Sequence, residues 1–264
     1  MVDVRDMRLN VQRGFKLGTK MSSINVPQVL RERRSTGLDW VDEALGGGGF
    51  APSIVGMLTG MPGTGKSTLL RQMADGFTRQ GHVVVYNTGE ESLYQAKMKC
   101  DDMDLQCGFE VGEEVQAGSL IKYLKDLQTK NVGKQVIFLQ DSLQTLDDGK
   151  YADGGKTGGT PVRVVEMITD WAKETYGIAV FVAQATKNGD FSGKATIKHA
   201  IDSYMKLLWC EDKKSPVYGS LLFEVTKNRY GCTGKTYVMG ITGKGLEVRG
   251  SYVKGQDWAP PGND

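Results

Sequence analysis

Eight residues, Gly60-Met-Pro-Gly-Thr-Gly-Lys-Ser67, constrain this chain of 264 residues more than any other segment. They fit G-x-x-x-x-G-K-[ST], a pattern that is specific only between a strand and a helix. Both flanks are present. Ile54-Val-Gly-Met-Leu-Thr59 is an apolar, strand-like run, and Thr68-Leu-Leu-Arg-Gln-Met-Ala74 reads as a helix. The glycines let backbone N–H groups curl around a phosphate. The following helix aims its positive N-terminal end at the same place. Gly60, Met61, Pro62, Gly63, Thr64, Gly65, Lys66, Ser67 and Thr68 therefore form the expected ATP-binding segment. Lys66 should reach the β- and γ-phosphates and Ser67 should ligate Mg²⁺.

Composition sets the class around that loop. Apolar residues make up 39% and charged residues 24%, ordinary values for a soluble globular protein with a sizeable core. No apolar run reaches membrane-spanning length, and the polar start Met1-Val-Asp-Val-Arg-Asp-Met is not a signal peptide, so a cytoplasmic protein without membrane contact is expected. Cys100, Cys107, Cys210 and Cys232 show no C-x-x-C spacing, which argues for reduced thiols rather than structural zinc. Net charge is +2, but residues 1–35 hold eight Lys/Arg against three acids, a local +5 that leaves −3 for the remainder. Residues 1–34 thus read as a basic arm or linker, suited to a polyanion or a neighbouring subunit, or else simply solvated.

Along the chain, helix and strand signals alternate and then strands run consecutively. Leu38, Val41 and Leu45 share a helical face that Gly46 to Gly49 terminate. Val83–Asn87, Val136–Asp141 and Ile178–Ala183 are β-rich runs expected as buried parallel strands. Helices are expected at roughly 93–104, 120–130 and 164–172. Residues 107–118 give no firm assignment. Tyr204–Trp209, Ser220–Thr226, Thr236–Ile241 and Gly245–Val248 read as short successive strands, followed by a loose tail. The expectation is one α/β domain over residues 35–250, a mainly parallel sheet flanked by helices and extended by antiparallel strands, with a tail at 251–264.

Three strand ends supply candidate chemistry. Asp141 closes the second run, where a P-loop protein carries its Mg²⁺ carboxylate; a helix cap is the plainer alternative. Gln140 before it is unexpectedly polar. Glu90 and Glu91 follow the first run, where either carboxylate can serve as a general base or merely open a helix. Gln184 ends the third run and is either a γ-phosphate contact or a satisfied core amide. Two loops leave the same edge of the sheet. Residues 147–160 hold five glycines and Lys156, and residues 186–199 hold Lys187, Lys194 and Lys198. Glycine-rich loops with spaced lysines can track a nucleic-acid backbone.

Several motifs in order resemble a known family: Ser35-Thr-Gly-Leu-Asp, Gly46-Gly-Gly, the P-loop, Gly89-Glu-Glu-Ser92, Asp141-Ser-Leu-Gln-Thr145, Gly177-Ile-Ala-Val-Phe181 and Lys227-Asn-Arg-Tyr-Gly231. Over roughly residues 35–250 the chain is similar to the ATPase core of the bacterial RadA (Sms) recombination proteins, within the RecA/DnaB-like superfamily. The family's four-cysteine zinc module and its protease-like C-terminal domain are expected to be absent. The resemblance implies a RecA-like fold and a homo-oligomeric ring (a hexamer) or filament, with ATP between subunits. It favours Glu90 over Glu91 as the base. It makes Lys227 and Arg229 the cations that reach a neighbour's nucleotide, and the two loops DNA-binding loops. Gln184 stands where RadA-like sequences usually carry histidine and RecA and DnaB carry glutamine. The expected function is a DNA-dependent, Mg²⁺-requiring ATP hydrolase of recombination or replication. It would act on single-stranded DNA as a helicase-like motor or as a strand-exchange protein. The alternative is a regulatory ATPase in the manner of the KaiC group, with protein partners and no DNA. A nucleotide or small-molecule kinase is a third class, disfavoured because no arginine-rich lid segment follows the P-loop.

Overall fold

The computed structural model describes residues 17–151, 154–185 and 196–253. After a short helix α1 (Asp39–Ala44), β1 (Ile54–Gly60) leads through the glycine loop into α2 (Lys66–Arg79), and β2 (Val83–Thr88) precedes α3 (Leu93–Asp102). Next come β3 (Glu110–Gly112), α4 (Ala117–Lys130), β4 (Val136–Asp141), α5 (Thr160–Thr175) and β5 (Ile178–Gln184). A five-residue helix α6 (Thr196–Ala200) leads to β6 (Ser203–Trp209), β7 (Leu221–Asn228), β8 (Lys235–Thr242) and β9 (Gly245–Val253).

The strands form one sheet in the order β3-β2-β4-β5-β1-β6-β7-β8-β9. Every residue of β1 and β4 is buried, because helices cover both faces of a parallel sheet. Side chains alternate between those faces. On one, Leu69, Leu70, Met73 and Phe77 of α2 pack with Leu58, Val180 and Met205. On the other, Leu124 of α4 and Val164, Ile168 and Trp171 of α5 pack with Met57, Phe138 and Phe181. The apolar spacing read in the α5 segment is thus a buried stripe.

Several local differences from the sequence reading have physical causes. Residues 107–118 contain β3, an edge strand too short to show periodicity. The first of the late strands, β6, is parallel to β1 and antiparallel only to β7. The last strand continues to Val253 rather than ending at Val248, because its pairing with β8 shifts register at Val238/Met239 and breaks the alternation there. The segment expected as a loop to residue 199 contains α6, anchored by fully buried Ile197. Arg33 and Arg34, assigned to the arm, are tied to the domain: Arg34 bridges to Phe50, and Arg33 donates to the carbonyls of Gly49 and Tyr230.

Two separate motifs meet here. Asn228 Nδ2 donates to the Leu45 carbonyl at 2.9 Å, and a Cβ on Gly231 would lie 2.3 Å from that same oxygen. The glycine of Lys-Asn-Arg-Tyr-Gly is therefore required by the end of α1. Gly231→Ala is expected to lower stability by about 1–3 kcal/mol through overpacking. Gly118→Ala, in α4 with open space around it, is expected to raise stability by up to ~1 kcal/mol. Thermal denaturation of both variants checks the contrast.

His82 gives a pH prediction. Burial and then the nearby Arg34 charge push its pKa from 6.5 down to about 4. Its ring lies 6.4 Å from that of Phe77. The unfolded chain takes up the proton first as pH falls. The contribution of neutral His82 is thus intact above pH 6.5 and is lost between 6.5 and about 4. His82→Phe should flatten that window in denaturant titrations at stepped pH.

Candidate nucleotide site

The glycine loop leaves the buried end of β1 and turns into α2 at Gly65, whose φ of 85° is left-handed. Thr64 Oγ1 donates to the Met61 carbonyl at 2.9 Å, bracing the loop. Lys66 Nζ donates to the same carbonyl, also at 2.9 Å. Burial pulls the Lys66 ammonium below its ordinary range, while the carboxylates of Asp141 and Glu90 act in the opposite direction. A cavity of about 380 Å³ opens above the loop, and Lys66, Ser67, Glu90, Asp141 and Gln184 all line it. These residues come from different strand ends gathered at one edge of the sheet, where open α/β sheets hold ligands.

Asp141 is 2% exposed. Its Oδ2 accepts from the Tyr86 hydroxyl at 3.1 Å, whereas Oδ1 is buried without a hydrogen-bond donor. A buried, unpartnered carboxylate oxygen is costly unless something supplies positive charge. Together with the Ser67 hydroxyl it forms an all-oxygen donor set, which suits Mg²⁺. The residues present fit that ion.

The two adjacent glutamates have different surroundings. Both precede the N-cap of α3, since Ser92 caps that helix in a capping box with Gln95. Glu91 pairs with buried Arg71 and, at 2.6 Å, with Lys99. Arg71 also lies over the Tyr86 ring, 5.7 Å from its centroid. Glu91 thereby joins α2 to α3 and, through Arg71, reaches β2, so it is occupied by structural contacts. Glu90 faces the cavity and accepts from Ser142 Oγ.

Gln140, the irregular polar residue of β4, is fully buried and has partners at both ends of its amide. Its Oε1 accepts from Asn87 Nδ2 at 2.8 Å, and its Nε2 donates to the Ser142 carbonyl and Thr145 Oγ1 at 3.1 Å each. It holds the turn after Asp141 against β2. Gly89 fits there only without a side chain, since a Cβ would lie 2.7 Å from Thr145. Sequence reasoning does not reach Arg71, Tyr86, Asn87 and Ser142. Their partners lie on other elements, and only the polarity of Gln140 inside an apolar run signals the network.

The other candidates fall in different places. Gln184 ends β5 beside Gly60 and lines the cavity. Lys156 donates to the Thr145 carbonyl at 2.6 Å, close behind the Asp141 turn. Lys198, expected on a loop, sits on α6 with its ammonium 5.4 Å from the Tyr204 ring centroid. Lys187 and Lys194 lie outside the described residues.

Lys227 and Arg229 do come together, but at the far end of the sheet. Gly60 is level with Leu207, whereas Asn228 pairs with Ser203, which is level with Gly56. Lys227 Nζ donates to the carbonyls of Lys198 and Ile201 at 2.6 Å each, and Arg229 pairs with Asp202 at 2.6 Å. Asp202 in turn binds Val55, five residues before Gly60 and so about 17 Å away along the strand. These cations are remote from the P-loop of their own chain.

No protein-family model matches the chain. It is 32% identical over 216 residues to the DNA repair protein RadA of Aquifex aeolicus (strain VF5), covering 82% of this chain and 46% of the relative. It is 31% identical over 217 residues to the DNA repair protein RadA of Campylobacter jejuni, with coverages of 81% and 46%. The corresponding protein of Mycobacterium tuberculosis (strain ATCC 25618 / H37Rv) is 34% identical over 168 residues, with coverages of 63% and 34%. The chain thus spans about half, or less, of the length of the curated relatives it matches. Among solved structures, a separately determined ATPase domain superposes with a TM-score of 0.68 at 14% identity, covering 80% of this chain and 88% of that one. A DnaB-like replicative helicase, described with its interactions with primase, also gives 0.68 at 14% identity, covering 79% and 61%. At that identity the structural likeness speaks for the fold alone. Motif order, sequence similarity and fold agree: the chain carries a RadA-like ATPase core of the RecA/DnaB-like P-loop superfamily.

Proposed function

We propose that this chain is a Mg²⁺-dependent ATP hydrolase that acts on DNA in repair or recombination, as a homo-oligomer with ATP bound between neighbouring copies. The observation that carries the reading is the convergence of Lys66, Ser67, Glu90 and the unpartnered Asp141 oxygen on one cavity. Lys66 would hold the β- and γ-phosphates, and Ser67 and Asp141 would hold the ion. When bound, that ion neutralises charge developing between the phosphates. Glu90 would take the proton from the attacking water, with Ser142 fixing the carboxylate. Gln184, at the adjacent strand end, would contact the γ-phosphate.

The DNA part of the reading rests on the relatives' description as DNA repair proteins. It is consistent with the lysines in the segments of sequence that follow β4 and β5. Lys156, Lys187, Lys194 and Lys198 are the residues proposed to contact a single-stranded backbone. Lys227 and Arg229 are proposed to act in trans, because neither lies near its own chain's P-loop. Ring or filament assembly, and a motor or strand-exchange role, belong to the same proposal.

The two glutamates provide the first test. Lys66→Ala should lose both tight ATP binding and hydrolysis. Glu90→Gln should bind ATP but hydrolyse it at least about 10²-fold more slowly, the usual scale of a general base. Glu91→Gln should lower thermal stability through the Arg71 and Lys99 pairs while keeping turnover. Steady-state rates with a fluorescent-nucleotide binding assay decide this, and the reverse pattern would move the base to Glu91.

DNA and assembly provide the second. Single-stranded DNA should stimulate hydrolysis, with binding that weakens steeply as salt rises. An unstimulated rate would favour a regulatory ATPase with protein partners. Arg229→Ala should slow turnover by roughly 10³–10⁵, the scale of an arginine finger, while leaving ATP binding unchanged. Full activity of Arg229→Ala, or hydrolysis by a strict monomer on native mass analysis, would overturn the trans assignment.

A further inference from the structure

Arg229 is half exposed, yet one end of its guanidinium is held. Its Nη1 donates to Asp202 Oδ1 at 2.6 Å and its backbone N–H donates to the Asp202 carbonyl at 2.9 Å. Asp202 is buried and is itself fixed on β1. Its Oδ2 accepts from the Val55 N–H at 3.1 Å, and its own N–H donates to the Val55 carbonyl at 2.8 Å. Beside it, Lys227 is anchored on the carbonyls of Lys198 and Ile201.

We propose that Asp202 is a positioning residue that orients Arg229 toward the triphosphate of a neighbouring copy's nucleotide. The inference rests on the trans reading of Arg229 given above. A guanidinium carries five N–H donors in a rigid plane, so it can bind a carboxylate on one edge and offer the other edge to a second anion. An arginine already held by one edge gives up less rotamer freedom when it meets a phosphate. The nearby Lys227 charge repels Arg229, and the Asp202 carboxylate, between β1 and the Lys-Asn-Arg turn, offsets that repulsion. If Asp202 instead stored Arg229 away from the neighbour, its loss would raise activity, so the sign of the effect separates the two arrangements.

The test uses full-length chains in mixtures. A Glu90→Gln chain supplies Arg229 but has a dead site of its own. An Arg229→Ala chain supplies a competent site but no arginine. Asp202→Asn is then added to one chain or to the other. In the arginine donor it should lower the mixture's ATPase rate on the order of 10- to 100-fold, the cost of misplacing a catalytic group by about 1 Å. In the site donor it should leave the rate unchanged, because no Arg229 is present there to orient. Equal losses in both arrangements would mean a purely structural role and would overturn the inference, as would a rise in rate. Arg229→Lys in the arginine donor, with Asp202 intact, guards against a folding defect of Asp202→Asn. One ammonium cannot serve both anions as a planar fork does, so this mixture should fall to the level set by Arg229→Ala in both chains. Full activity with Arg229→Lys would overturn the bridging geometry. Wild-type turnover by Arg229→Ala alone would remove the trans reading itself, a result distinct from equal Asp202→Asn losses.

Discussion

Strand polarity is the constraint on which this molecule depends. β1, β2, β4, β5 and β6 all run in one direction, so their C-terminal ends gather the glycine loop, Glu90, Asp141 and Gln184 along a single edge. The first antiparallel strand, β7, necessarily ends at the opposite edge, and Lys227 and Arg229 go with it. A cation placed that way cannot fold back on its own nucleotide across the length of β1. The topology that builds the cavity thereby leaves it without cations from the end of β7, which gives assembly a chemical purpose within the proposed function.

The edge where the cavity forms is rich in buried polar groups, several of which bind one another across elements. Gln140 joins Asn87 to the Ser142–Thr145 turn, Arg71 joins Glu91 to the face of Tyr86, and Tyr86 donates to Asp141. Each link crosses between secondary-structure elements, so the carboxylates are positioned by β2, β4, α2 and α3 together. Partly satisfied networks are unstable alternatives to apolar packing. Against that background the unpartnered Asp141 Oδ1 is informative, because it lies where the donor chemistry suits a hard cation.

The opposite edge follows a different principle. Gly231, Asn228 and Leu45 lock the Lys-Asn-Arg-Tyr-Gly turn onto the end of α1, and Arg33 closes over it from the preceding segment. Residues that read as separate motifs are one contact surface in space. Backbone approaches this close admit only glycine, which accounts physically for two glycine-bearing motifs, Gly46 in one and Gly231 in the other, without invoking chemistry at either.

Local features were legible in the residues alone. A glycine loop between an apolar run and a helix, β-branched segments leading to Glu90, Asp141 and Gln184, and the stripe Val164, Val165, Ile168, Trp171 and Ala172 are written in short-range order, where periodicity and backbone sterics act. The α/β class and the cavity-lining residues Lys66, Ser67, Glu90, Asp141 and Gln184 could be read for that reason. Long-range pairing controls the rest, and it becomes visible only in the folded chain. β6 enters parallel to β1, β3 exists only as an edge partner of β2, and the bulge between β8 and β9 carries the last strand to Val253. Folding likewise ties Glu91 to Arg71, makes Gln140 a satisfied bridge, and brings Asp202, silent in the sequence, to Arg229. Those partners are brought together by strand order, which residue spacing along one chain does not encode.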